Sequence, residues 1–144
     1  EGGPEDWDAV AWASTLGGMA INTAGVALPH GMEHPASGLR NIIHGKGLAA
    51  LTPVITEASI EAAPEKYRQI SQLLGGRDET DCADVIRRLL EELDLSAGLK
   101  SLGIQEEDIP WMTKNCFKVS AASIANHPKT FGEEEIEKIY RRAM

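Results

Sequence analysis

An all-α fold is the class this sequence predicts, and three observations predict it. Apolar residues recur at three- and four-residue spacing in segment after segment. No window sustains the apolar-polar alternation of a half-buried strand, and glycines and prolines cluster where the periodic segments begin or stop. With 144 residues, the chain suits one domain able to bury a core without disulfides or a structural metal. The expected architecture is a multi-helical bundle spanning 1–144 as a single domain.

The first helix is read over Asp6 to Thr23. Pro4, Glu5 and Asp6 suit a helix start, and Val10, Leu16, Met19 and Ala20 contribute to an apolar face among many small residues. Gly17 and Gly18 lower helix propensity but permit close backbone approach, so this helix is expected to be central and tightly packed, in a core or at a subunit contact. Gly25 interrupts it. Pro29 then fits the first turn of a short helix carrying His30 and His34, and Ala36 to Asn41 reads as a small-residue turn. Gly45 to Glu57 sets Leu48, Leu51, Val54 and Ile55 at helical spacing, with Pro53 as a kink or local break and His44 just before or in the first turn. Pro64 to Leu74 follows, with Tyr67, Ile70, Leu73 and Leu74 read as inward and Gly75-Gly76 as the terminator. Thr80 or Asp81 caps a helix through about Leu93, whose Val85, Ile86, Leu89, Leu90 and Leu93 form an apolar stripe. A connector at 101–104 leads into a mostly helical Gln105 to Ala125 with Pro110 in its first turns. Thr130 or Gly132 opens the last helix, with Ile136, Ile139 and Tyr140 inward.

Composition excludes several functions. A formal net charge of −8 and a pI near 5.0 argue against a nucleic-acid face, which needs clustered Lys and Arg. The basic residues here are mixed with acids, as in Arg87-Arg88-Leu89-Leu90-Glu91-Glu92, and read as solvated helix surface. A dinucleotide-binding domain is a poor fit, because no Gly-x-Gly-x-x-Gly follows a strand and strands do not alternate with helices. Cys82 and Cys116 lie far apart without Cys-x-x-Cys spacing and read as ordinary reduced helix residues. No apolar run approaches the roughly 18 residues that span a bilayer, so no membrane partner is expected. The acidic stretch from Glu1 to Asp8 is unlike a signal peptide. A soluble, cytoplasmic protein is the expectation, and a start at Glu1 without Met suggests a fragment of a longer chain.

The chemistry-bearing feature is a cluster of imidazoles. Three of the four histidines, His30, His34 and His44, lie close together, in Pro29-His30-Gly31-Met32-Glu33-His34-Pro35 and Ile43-His44-Gly45-Lys46. Neutral imidazole is the commonest protein ligand for borderline divalent metals. His30 and His34, four apart, share a helix face, and His44, beyond a Gly/Ser break, can fold back toward them. Two or three nitrogens can thus meet one ion. The residues alone leave open a plain helix pair satisfied by backbone carbonyls or water.

The run from Gly25 through Pro53, with His30-Gly31-x-x-His34-Pro35, a second His44-Gly45 and the segment Leu48-Ala49-Ala50-Leu51-Thr52-Pro53, resembles the iron-containing (group III) alcohol dehydrogenases. The similarity extends from the small-residue helix around Ala13 to Ala20 as far as the final helix from Glu133 to Arg142. This resemblance implies the C-terminal, all-helical domain of such an enzyme, with His30 and His44 as metal ligands. It places His34 beside metal and nicotinamide as a proton-relay or positioning group. It also implies two further ligands upstream, an Asp and a His. No histidine precedes His30, so this chain would hold half of a centre. The implied activity of the intact enzyme is interconversion of a small alcohol and an aldehyde or ketone. Its cofactors would be Fe(2+) or Zn(2+), with NAD or NADP bound mainly by an N-terminal domain absent from these residues; no cofactor-binding residue is assigned in this chain. The chain alone is expected to be inactive, its half-site empty or weakly filled. Apolar surface left by the missing domain could drive formation of a homo-oligomer.

Other residues are weighed against this reading. His30-Gly31-Met32-Glu33-His34 also reads as His-x-x-Glu-His, a zinc metalloprotease signature in which Glu33 would be the general base and Glu106 or Glu107 a distant ligand. Gly31 and Pro35 make a poor interior for a regular catalytic helix, and Glu33 is read instead as a solvated or pairing residue. A non-catalytic helical interaction module is the other alternative. Lys46 could approach an anionic group but reads as an exposed lysine. His127, in a loop where the family more usually has Asn-Pro-Arg, reads as a surface residue, and Ile43 replaces a Pro that often precedes the second His-Gly. Trp7, Trp12 and Trp111 are read as core or interface anchors.

Overall fold

The computed structural model describes residues 2–144; Glu1, the first residue of the acidic start, lies outside them. Eight α-helices succeed one another among the described residues: α1 Pro4–Ala24, α2 Leu28–Arg40, α3 His44–Ser59, α4 Pro64–Leu73, α5 Cys82–Glu92, α6 Ile109–Val119, α7 Ala121–Ala125 and α8 Glu133–Arg142. Short 3-10 turns at Ile60–Ala62, Glu79–Asp81 and Glu106–Asp108 join them, and no described residue is in a strand. The all-α expectation holds. No helix among these residues is long and apolar enough to cross a membrane.

Helix α2 organises the core. Leu28, Met32 and Ala36 recur every fourth residue and are fully buried, so they form one stripe down the helix. Against it pack Leu51, Val54 and Ile55 of α3, Ile109, Met112 and Cys116 of α6, and Ile136, Ile139 and Tyr140 of α8, with Leu99 and Ile104 from the connector. Two polar ties fix the helix within this apolar contact. The Tyr140 hydroxyl donates to the Met32 carbonyl at 2.6 Å, and the Arg40 guanidinium forks onto Asp108, with Nε to Oδ2 at 3.0 Å and Nη2 to Oδ1 at 2.6 Å. That guanidinium holds the Asp108 carboxyl below the usual carboxylate range.

Three expectations are corrected. Ala36 to Asn41 is not a turn: α2 runs on through Pro35 to Arg40, because Pro35 and Ala36 are buried in the core and Arg40 is anchored on Asp108. The turn is 41–43, opened by Asn41 in the left-handed region (φ 51°), whose N–H bonds the Ser37 carbonyl. Helix α1 is not packed, since none of its residues is buried; Trp7 is 70% and Trp12 62% exposed. Its small and apolar residues fit a central helix, but no surface among the described residues covers it. Along α4, Ile70, Leu73 and Leu74 do not point inward. They are exposed, Leu73 at 86%, because α4 packs mainly on α5 and the neighbouring 3-10 turns, which leaves its outer side open.

Candidate metal centre

The turn at 41–43 brings the start of α3 back over the outer face of α2. His30 and His34 stand on that face, two residues out of step with the Leu28-Met32-Ala36 stripe, about 200° around the helix. His44 is the first residue of α3. One nitrogen from each of the three can be chosen so that all lie within 4.8 Å of one another. His44 Nε2 is 3.2 Å from His30 Nδ1, and the His34 ring lies 5.7 Å from the His44 ring at an interplanar angle of 27°. His30 is half-buried, while His34 and His44 are exposed.

These distances suit a cation. Two unprotonated ring nitrogens cannot face each other at 3.2 Å without repulsion, so they must share a proton or a metal ion. Two nitrogens on one tetrahedral zinc, at bonds of about 2.0–2.1 Å, stand roughly 3.3 Å apart. Burial, followed by the neighbouring His44 and His34, lowers the pKa of His30, with Glu33 opposing in part. The favoured form is the neutral one, which binds metal.

Glu33 is the residue that sequence reading placed least well. It does pair, but it is not solvated: its side chain is fully buried, with Oε2 on His44 Nδ1 and Oε1 accepting from the Ser37 hydroxyl. The four-residue spacing from Glu33 to Ser37 was a visible signal, since i and i+4 side chains meet on a helix. A protease general base must be free to take a proton from water, whereas both oxygens of Glu33 are engaged. Glu106 and Glu107 lie outside the histidine cluster, with Glu106 3.5 Å from Arg141.

The remaining candidates lie elsewhere. Lys46 is exposed on the first turn of α3. Cys82 and Cys116 are buried free thiols, and burial pushes Cys116 up to about 12. Trp111 is exposed, which leaves it out of the core. His127 is not a surface residue, a further correction: it is buried, with Nε2 2.8 Å from the Ser59 hydroxyl, because the 126–128 loop folds in against the end of α3.

Fold and site together define a class, a helical domain that gathers three imidazoles at its surface. The chain belongs to the iron-containing alcohol dehydrogenases: the pattern described as "Fe-containing alcohol dehydrogenase family, C-terminal" matches residues 5–144. It is 34% identical to 1,3-propanediol dehydrogenase of Klebsiella pneumoniae over 142 residues, covering 93% of this chain and 36% of that protein. It is 26% identical to the mitochondrial hydroxyacid-oxoacid transhydrogenase of Bos taurus, covering 98% of this chain and 35% of that one. A crystal structure of 1,3-propanediol oxidoreductase superposes with a TM-score of 0.84 at 33% identity, over 93% of this chain and 37% of that one. The chain therefore spans about a third of the length of these relatives.

Proposed function

We propose that this chain is the metal-binding helical part of an NAD(P)-dependent alcohol dehydrogenase that interconverts a small alcohol and its carbonyl partner. The observation that carries the reading is the approach of His44 Nε2 to His30 Nδ1 at 3.2 Å, with His34 alongside. In this reading His30 and His44 hold Fe(2+) or Zn(2+), and the remaining donors come from polypeptide outside these residues. Such an ion would supply Lewis-acid polarisation of a substrate oxygen, and NAD or NADP, held mainly by an N-terminal domain, would supply the hydride exchange. His34, exposed beside His44, is placed to hold or pass the proton exchanged with solvent. Buried, unpaired thiols accord with a cytoplasmic setting.

The test is a Zn(2+) titration of the chain followed by the ring-nitrogen NMR signals of its histidines. Weak binding is expected, sensed together by His30 and His44 and lost in His30→Ala and in His44→Ala. Binding that survives both substitutions would sink the reading. The chain alone is expected to reduce no NAD or NADP in the presence of an alcohol, and hydride transfer by the purified chain would show the site to be complete.

A further inference from the structure

A fully buried carboxylate is costly unless its oxygens are satisfied, and Glu33 meets that condition in a particular way. One oxygen takes the Nδ1 side of His44, and the other takes the Ser37 hydroxyl. That hydroxyl has a single proton to divide between Glu33 and the Ile42 carbonyl, 3.1 Å away in the turn that leads to His44. Space for the carboxylate depends on Gly47, one turn along α3. A Cβ there would stand 2.7 Å from Glu33 Oε1 and 2.8 Å from its Cγ. The first turn of α3 is thus built around Glu33, and His44 is the side chain it holds.

We infer that Glu33 is a positioning residue for His44: by accepting the Nδ1 proton it fixes the tautomer that leaves Nε2 as the ligand atom, and it holds the ring so that Nε2 faces His30. The inference rests on the metal-site reading given above. Carboxylate-to-imidazole-to-metal arrangements act this way in general, raising ligand basicity and fixing ring orientation, and their loss lowers metal affinity by about 10–100-fold. A mere structural tie between α2 and α3 would affect stability, and its loss would leave the Zn(2+) affinity of a still-folded chain unchanged.

The first measurement is therefore made on the metal-free wild-type chain, at a pH where its histidines are neutral. Long-range proton–nitrogen NMR should show His44 protonated at Nδ1 with a bare Nε2, and a proton on Nε2 would overturn the inference. Zn(2+) titrations of Glu33→Leu and Glu33→Gln follow, with circular dichroism confirming the helical fold. Affinity should fall about 10–100-fold in Glu33→Leu. In Glu33→Gln the loss should be smaller, because the amide oxygen still accepts from Nδ1 without the charge. A folded Glu33→Leu chain that binds Zn(2+) as the wild type does would overturn the inference, and if that variant fails to fold, the wild-type tautomer decides. His44→Ala separates the two levels. If it binds like wild type, the metal-site reading has failed, whereas if it loses binding while Glu33→Leu does not, only the positioning role has.

Discussion

His127 shows how much one buried ring can tie to pH. Its Nε2 meets the Ser59 hydroxyl at 2.8 Å, and burial lowers its pKa below the ordinary 6.5. The unfolded chain therefore takes up a proton at this residue before the folded one does. Its contribution to stability is complete above about pH 6.5 and is lost as pH falls from there through the depressed folded value. A single such group gives a slope of at most about 1.4 kcal/mol per pH unit. Denaturant melts between pH 8 and pH 5, roughly the range in which histidines titrate, should show the loss, and His127→Gln should flatten it. His30, also lowered by burial, contributes with the same sign and keeps some slope in the variant. An unchanged slope in His127→Gln would mean that the folded ring takes up its proton as freely as the unfolded one. The sequence pointed to His30, His34 and His44 because their spacing is local. His127 and Glu33 were misplaced or half-placed because their partners are remote: Ser59 lies 68 positions from His127, and His44 meets Glu33 only after the chain has turned.

At the scale of elements, periodicity served where a helix has one buried stripe. Helix α8 is the clear case, with Ile136, Ile139 and Tyr140 inward as expected and acidic and basic residues at its first and last turns, matched to the helix dipole. Periodicity failed for α4, since a stripe fixes which residues share a face and not whether another element covers that face. It also missed the true end of α2, because the small residues from Ala36 on look like a turn, whereas Pro35 and Ala36 are buried and the helix runs on to Arg40. What ends α2 is Asn41, in a left-handed conformation that glycine adopts freely, asparagine tolerates and alanine resists. Asn41→Ala should cost about 1–2 kcal/mol in a urea melt, while Asn41→Gly should be nearly neutral. Because this turn sets the approach of His44 to His30, Asn41→Ala should also weaken the response of those two rings to Zn(2+). Equal stability of the two variants would show that the left-handed turn is not what shapes the site.

For the molecule as a whole, the decisive fact is that α1 carries the pattern of an interior helix and lies in the open. Trp12, Leu16 and Met19 fall at i, i+4 and i+7 on one side, while Trp7, Val10 and Ile21 line another, and every one of these six is exposed. A helix apolar on several sides belongs inside a larger structure. The chain spans about a third of its relatives' length, and on the reading proposed above, polypeptide outside these residues would cover α1. On its own, the chain should cover α1 with a second copy. Removing six large apolar side chains from water, Trp12, Leu16 and Met19 of each copy, is worth roughly 1.5–3 kcal/mol each. That gain is comparable to an association cost of roughly 4–15 kcal/mol, so association should be reversible and depend on concentration. Light scattering across a dilution series should show the mass falling toward that of one chain. Trp12→Glu combined with Met19→Lys should hold the chain monomeric at every concentration while leaving Zn(2+) binding at His30 and His44 unchanged, since α1 contributes no residue to that cluster. A wild-type chain that stays monomeric throughout would mean that α1 stands in water without a partner, and that a second copy does not match the shape of its apolar faces.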